Sequence, residues 1–172
     1  SNQIEERQLN VAEQVARLDG VRQGFRPEHQ TFSGRWSNMW AALRERSGQQ
    51  LSPQERQRLT EYTQSRARSL ENLNMTIQAM TGAAMGVEEA QRIIATMPNP
   101  GTSLFDGDSP TEFQAKLDRA TRDARNAAIR YSIARQRGLD PLRSGIRLEE
   151  VPAIVNRRGE EIAREIRADN PQ

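Results

Sequence analysis

Two four-residue strings constrain this chain more than anything else in it. Ser52-Pro53-Gln54-Glu55 and Ser109-Pro110-Thr111-Glu112 both have the form of a helix N-terminus. The serine side chain accepts from the backbone N–H three residues on, proline takes the first helical position, and the glutamate reaches back to the serine N–H. After each string the chain runs without Gly or Pro, to Gly82 in the first case and to Gly138 in the second. At 1.5 Å rise per residue each stretch predicts a helix of about 40 Å.

Both stretches carry an apolar seam. In the first it is Leu59, Tyr62, Leu70, Leu73, Ile77 and Met80; in the second it is Phe113, Leu117, Ala120, Ala124, Ala127, Tyr131 and Ala134. The second seam keeps the strict four-three spacing of one helical face, and its small residues let a partner approach closely. Gly86-Val87-Glu88-Glu89 opens a short bridging helix through Ile93 and Ile94, stopped at Met97-Pro98-Asn99-Pro100-Gly101. Two long helices joined through so short a bridge predict an antiparallel hairpin, with Leu59, Leu70, Leu73 and Ile77 facing Phe113, Leu117, Ala124 and Tyr131.

Shorter elements flank this pair. Leu9, Val11, Val15 and Leu18 give a modest helical stripe, followed by the Gly24-Phe25-Arg26-Pro27 break. Trp36, Met39, Trp40 and Leu43 then fall at i, i+3, i+4 and i+7. After Gly138 a Pro- and Gly-broken linker leads to Val151, Ile154, Val155, Ile162 and Ile166, which suggest a last helix despite Pro152 and Gly159. The expected fold is therefore all-α: an elongated helical bundle built on a long antiparallel hairpin. Its segments are 1–50 (short helices), 51–138 (hairpin with bridge) and 139–172 (linker and helix).

Composition fits thin helical layers. Hydrophobic residues make up 35%, charged residues 28% and aromatics 5%, with a mean hydropathy of −0.85. That apolar share suits elongated bundles or oligomers better than a thick core, and so few aromatics argue against sheet architectures. The absence of cysteine removes disulfides and thiolate chemistry. No apolar run approaches the ~20 residues of a membrane span, and no signal-like core opens the chain. Ser1-Asn2 reads as a cloning remnant, so the natural protein is expected to extend further. The expected location is cytoplasmic.

Candidate chemistry is sparse. His29 is the sole histidine and lies in a Pro/Gly-flanked loop with no nucleophile elbow, so it reads as an ordinary polar residue. One His and no Cys also remove the usual zinc sites. Asp106-Gly107-Asp108 lacks the further ligands of a calcium loop and reads as a turn before a helix. Gly82-Ala83-Ala84-Met85-Gly86 has no phosphate-loop lysine and reads as a helix stop followed by a helix start. The neighbours in Glu149-Glu150 and Glu160-Glu161 diverge on a helix, so neither pair converges on one substrate atom. No catalytic, metal or cofactor residue is assigned, and the chain is expected not to be an enzyme. Carboxylate-only chemistry is the distant alternative.

The sharper candidates are cationic and aromatic. The net charge is only +2, and Lys116 is the one lysine, so the pI of about 9.6 reflects arginine usage. Three cations of the second long helix have i,i+4 acidic partners: Glu112 with Lys116, Asp118 with Arg122, and Asp123 with Arg119. The excess is Arg125, Arg130, Arg135 and Arg137. These four could contact nucleic-acid phosphates. They serve the helix C-terminal dipole and local packing at least as well, and no aromatic interleaving accompanies them. Trp36 and Trp40 are candidate interface residues, though core anchorage is the simpler reading.

One stretch resembles a known class of protein. Met80-Thr81-Gly82-Ala83-Ala84, the short helix ending in Pro98-Asn99-Pro100, and Ser109-Pro110 with Phe113, Ala115, Lys116 and Leu117 are the residues that carry it. They resemble segments of helical bacteriophage virion proteins of the internal, DNA-ejection or tail-associated kind. The likeness spans 32–138 and carries over no catalytic residue. It implies an assembly or interaction segment of phage or prophage origin, with protein partners or self-association, and a virion-associated location as the alternative to a cytoplasmic one.

Overall fold

The computed structural model describes residues 32–46, 49–99, 101 and 107–169. The Leu9–Leu18 stripe, the Gly24–Pro27 break, His29, Pro100 and Asp106 lie outside them. The described residues are all-α, with five helices: α1 (Phe32–Glu45), α2 (Pro53–Met80), α3 (Val87–Ala95), α4 (Pro110–Gln136) and α5 (Val151–Asp169). Two 3₁₀ turns, Pro141–Arg143 and Leu148–Glu150, link α4 to α5.

Both capping boxes form. Ser52 Oγ accepts from Glu55 N at 3.2 Å while Ser52 N donates to Glu55 Oε1 at 3.0 Å. Ser109 and Glu112 repeat the exchange at 3.3 and 3.0 Å. At the far end of α4, Gly138 takes φ +71°, the left-handed region that favours glycine. Its N–H then donates to Arg135 O at 3.1 Å and that of Leu139 to Ala134 O at 2.8 Å, the paired bonds of a Schellman stop. Past α2 the chain folds into a tight turn, with Ala84 N and Met85 N both donating to Met80 O, which buries Ala84 and Met85.

A single apolar cluster joins α1 to α4. Trp36 and Trp40 enter from α1, Tyr62, Leu73, Ile77 and Met80 from α2, Ala90 and Ile93 from α3. α4 contributes Phe113, Leu117 and Tyr131 together with Ala120, Ala124, Ala127 and Ala128. Trp36 packs on Tyr62 with ring centroids 5.6 Å apart. The two tryptophans are thus core anchors, 5% and 8% exposed, and not surface available to a partner.

The expected antiparallel pairing of the two long helices is corrected by the contacts at their ends. Near its start, α2 places Tyr62 against Trp36 of α1, while the next α1 residue, Ser37, lies 3.4 Å from Thr111 at the start of α4. Beyond the other end of α2, the Ala84 carbonyl accepts from Arg130, near the end of α4, at 3.1 Å. Start meets start and end meets end, so α2 and α4 run the same way. The physical reason lies in the bridge. α3 begins at the Arg130 end through Glu89, and the chain after it reaches the start of α4 where Asn99 and Asp108 exchange backbone and side-chain bonds of 2.8 and 2.7 Å. The bridge is itself the return stroke. The reversal occurs earlier, between α1 and α2, where Trp36 meets Tyr62 and Arg46 pairs with Glu55.

Candidate interaction surface

α5 forms because its two suspect residues sit where a helix tolerates them. Pro152 falls in the first turn, where its missing N–H would have had no intrahelical partner anyway. Gly159 lies mid-helix, with open space around the place a Cβ would take. On the preceding 3₁₀ turn Glu150 reaches back to accept from the Arg147 backbone N–H at 3.2 Å, and that donated bond holds its carboxyl below its ordinary range.

Of the 19 residues of α5, only Val151 is buried. Val155, Ile162 and Ile166 are 45%, 42% and 58% exposed, and at about 100° per residue they share one face. Where α5 leaves the end of α4, a groove of about 670 Å³ opens between them. Ile133, Ile154, Val155 and Ile162 supply its apolar lining, and Arg137, Arg157, Arg158 and Glu161 supply its charges. Along α5 itself, Arg158 reaches Glu161 at 3.2 Å and Glu165 at 3.9 Å, and Arg164 lies 3.9 Å from Glu160.

A second cleft, of about 660 Å³, lies between α3, α4 and the 141–149 segment. Its chemistry is dominated by Arg130, which is 7% exposed. Arg130 grips Glu89 with both terminal nitrogens, the Nη1–Oε2 contact being 3.1 Å. The same two nitrogens donate to Ala84 O at 3.1 Å and Ile146 O at 3.3 Å. Its Nε has no hydrogen-bond partner. An arginine so engaged ties the turn after α2, helix α3 and the segment after α4 together.

The four candidate phosphate contacts therefore part company. Arg130 is turned inward and withdrawn from any phosphate; Arg125 and Arg135 are half-buried; Arg137 is exposed and lines the α5 groove. Two expected ion pairs also exchange partners. Lys116 reaches back to Asp108 at 2.8 Å, leaving Glu112 to its cap, and Arg122 lies 3.7 Å from Asp123 instead of on Asp118. Asp108 thus serves its loop and Lys116. Among the described residues no group of three or more His, Asp or Glu side chains could hold a metal ion.

Arg66, which the seam spacing skipped, is buried, its guanidinium 5.1 Å from the Tyr62 ring centroid. Burial pushes the Tyr62 hydroxyl above its ordinary range, partly offset by Arg66. Position 66 follows Tyr62 by four and precedes Leu70 by four, so the helical period places it on the seam. Arg130 likewise follows Ala127 by three and precedes Ala134 by four. That spacing was the available signal for both.

No family model, no curated protein and no solved structure matches the chain. No described helix is long and apolar enough to cross a membrane.

Proposed function

We propose that the chain is a non-enzymatic structural and interaction domain, a helical layer that presents α5 as its docking element. The observation that carries this reading is a 19-residue helix buried at Val151 alone, with Val155, Ile162 and Ile166 in line and exposed. A face of that kind gains free energy only when something covers it, at roughly 25 cal/mol per Å² of apolar surface removed from water. The alternative, a nucleic-acid module on the end of α4, is weakened by the inward turn of Arg130.

The test is thermal melting of Ile162→Glu. At a protein concentration low enough to keep both monomeric, the variant is expected to melt with the wild type, because the side chain packs on nothing essential to the fold. A large loss of stability would place the stripe in the core and end the docking reading. Membership of a bacteriophage or prophage virion protein, of the DNA-delivery kind, is the biological setting we propose. It rests on the resemblance over 32–138. Portal, capsid or tail genes beside the coding gene support it, and a neighbourhood without phage genes removes it.

A further inference from the structure

We infer that the occupant of the α5 face is a second copy of α5, laid antiparallel across it; this rests on the docking reading above. The argument starts from how charge is arranged around the stripe. α5 carries four arginines (Arg157, Arg158, Arg164, Arg167) and four acids (Glu160, Glu161, Glu165, Asp169), so it has no net charge. That balance disfavours an anionic membrane surface, which selects helices with a basic polar face. It also disfavours a strongly charged partner of either sign. The distribution is nevertheless polar. The first half holds Arg157 and Arg158 and no acid, with Arg137 beside it in the groove, and the second half holds all four acids against Arg164 and Arg167, a net of −2. A helix whose two halves carry opposite charge complements a reversed copy of itself.

The register follows from the stripe. Read as a seam, Val155, Gly159, Ile162 and Ile166 are spaced four, three and four. Reversal about the midpoint between Gly159 and Ile162 sets Val155 against Ile166 of the second copy, and Gly159 against Ile162 of the second copy. The open space at Gly159 is where that isoleucine enters. The glycine, which weakens a helix relative to alanine, thereby gains a reason to be there. Arg158 and Glu165 lie seven apart on the same edge of the stripe. In an antiparallel pair like edges meet, so Arg158 of each copy stands opposite Glu165 of the other, twice over by symmetry. Within one copy Arg158 reaches Glu161 and Glu165 through exposed contacts, which are weak enough to exchange. In a parallel pair this edge would meet Asn156 and Ala163, which offer no such match.

Sedimentation of the full chain across a wide concentration range tests the inference. The wild type is expected to form a concentration-dependent dimer, weakened by salt. Arg158→Glu alone and Glu165→Arg alone each set like charges together and should weaken the dimer about tenfold. Mixing the two single variants should restore association as a heterodimer, and the double variant should pair with itself. A wild type monomeric throughout overturns the inference. So does a dimer indifferent to both reversals, or reversals that mixing does not rescue. Capture of the wild type by phosphatidylserine vesicles without dimerisation overturns it in favour of a membrane. If the chain stays monomeric while Ile162→Glu melts like wild type, self-pairing fails and the docking surface stands. If Ile162→Glu unfolds the protein, the docking reading itself fails.

Discussion

α4 and α5 are neighbours in the chain, both rich in arginine, and they meet opposite fates. α4 buries twelve residues, five of them alanines, and α5 buries one. Small side chains explain much of this. A seam of Ala120, Ala124, Ala127, Ala128 and Ala134 leaves room for other elements to close on α4. It leaves room even for an arginine, since Arg130 folds inward where Glu89 and two carbonyls are waiting. α5 carries an aliphatic stripe of its own, yet Val155, Ile162 and Ile166 stay exposed. Burial here is set by what lies opposite a helix as much as by the residues on its face.

That contrast breaks most readily in the core. Leu73, 1% exposed in the cluster that α4 organises, is expected to cost about 2–5 kcal/mol as Leu73→Ala, read from chemical denaturation. Unchanged stability would mean that the cluster relaxes around the loss. Arg130→Ala should follow at about 3 kcal/mol, because it strands the Glu89 carboxylate against the cleft. Arg137→Ala, on the exposed side, serves as its near-neutral partner, and equal losses at the two positions would erase the distinction drawn between them.

The smallest effect concerns the caps. The Ser52 N–H donating to Glu55 holds that carboxyl below its ordinary value of 4.5, with Ser52 Oγ and Arg46 adding to the effect. A carboxyl lowered in the folded state stabilises above its unfolded pKa, and the contribution fades as pH falls through the folded value. The melting temperature should therefore decline below about pH 4.5 less steeply in Glu55→Gln, which keeps the cap geometry and removes the titration. Parallel pH profiles for the two proteins would show that the charge plays no part.

Much of the secondary structure was legible in the sequence because its signals are local. Each Ser-Pro-x-Glu string marks a helix start, and α2 and α4 begin at Pro53 and Pro110. The direction in which α2 and α4 pack was not legible. Periodicity names the apolar face of a helix and is silent about which neighbour covers it, or which way that neighbour runs. In the sequence the bridging segment reads as a short connector, whereas its described part, from Glu89 beside Arg130 to Asn99 beside Asp108, runs back along the pair. The inward turns of Arg66 and Arg130 are visible in spacing, but charge ordinarily argues for solvent. For the docking face, the stripe on α5 could be read, and its exposure could not.

The grip of Arg130 has a consequence for how the molecule breathes. Because one guanidinium holds Ala84, Glu89 and Ile146 at once, none of the three segments can detach without weakening the hold on the others. In hydrogen exchange, the amides of α3 and of the 141–150 segment should therefore open together, as one cooperative unit, although more than forty residues separate them in the chain. The C-terminal approach to α5 and the helix that returns the chain to α4 would then share a single opening free energy.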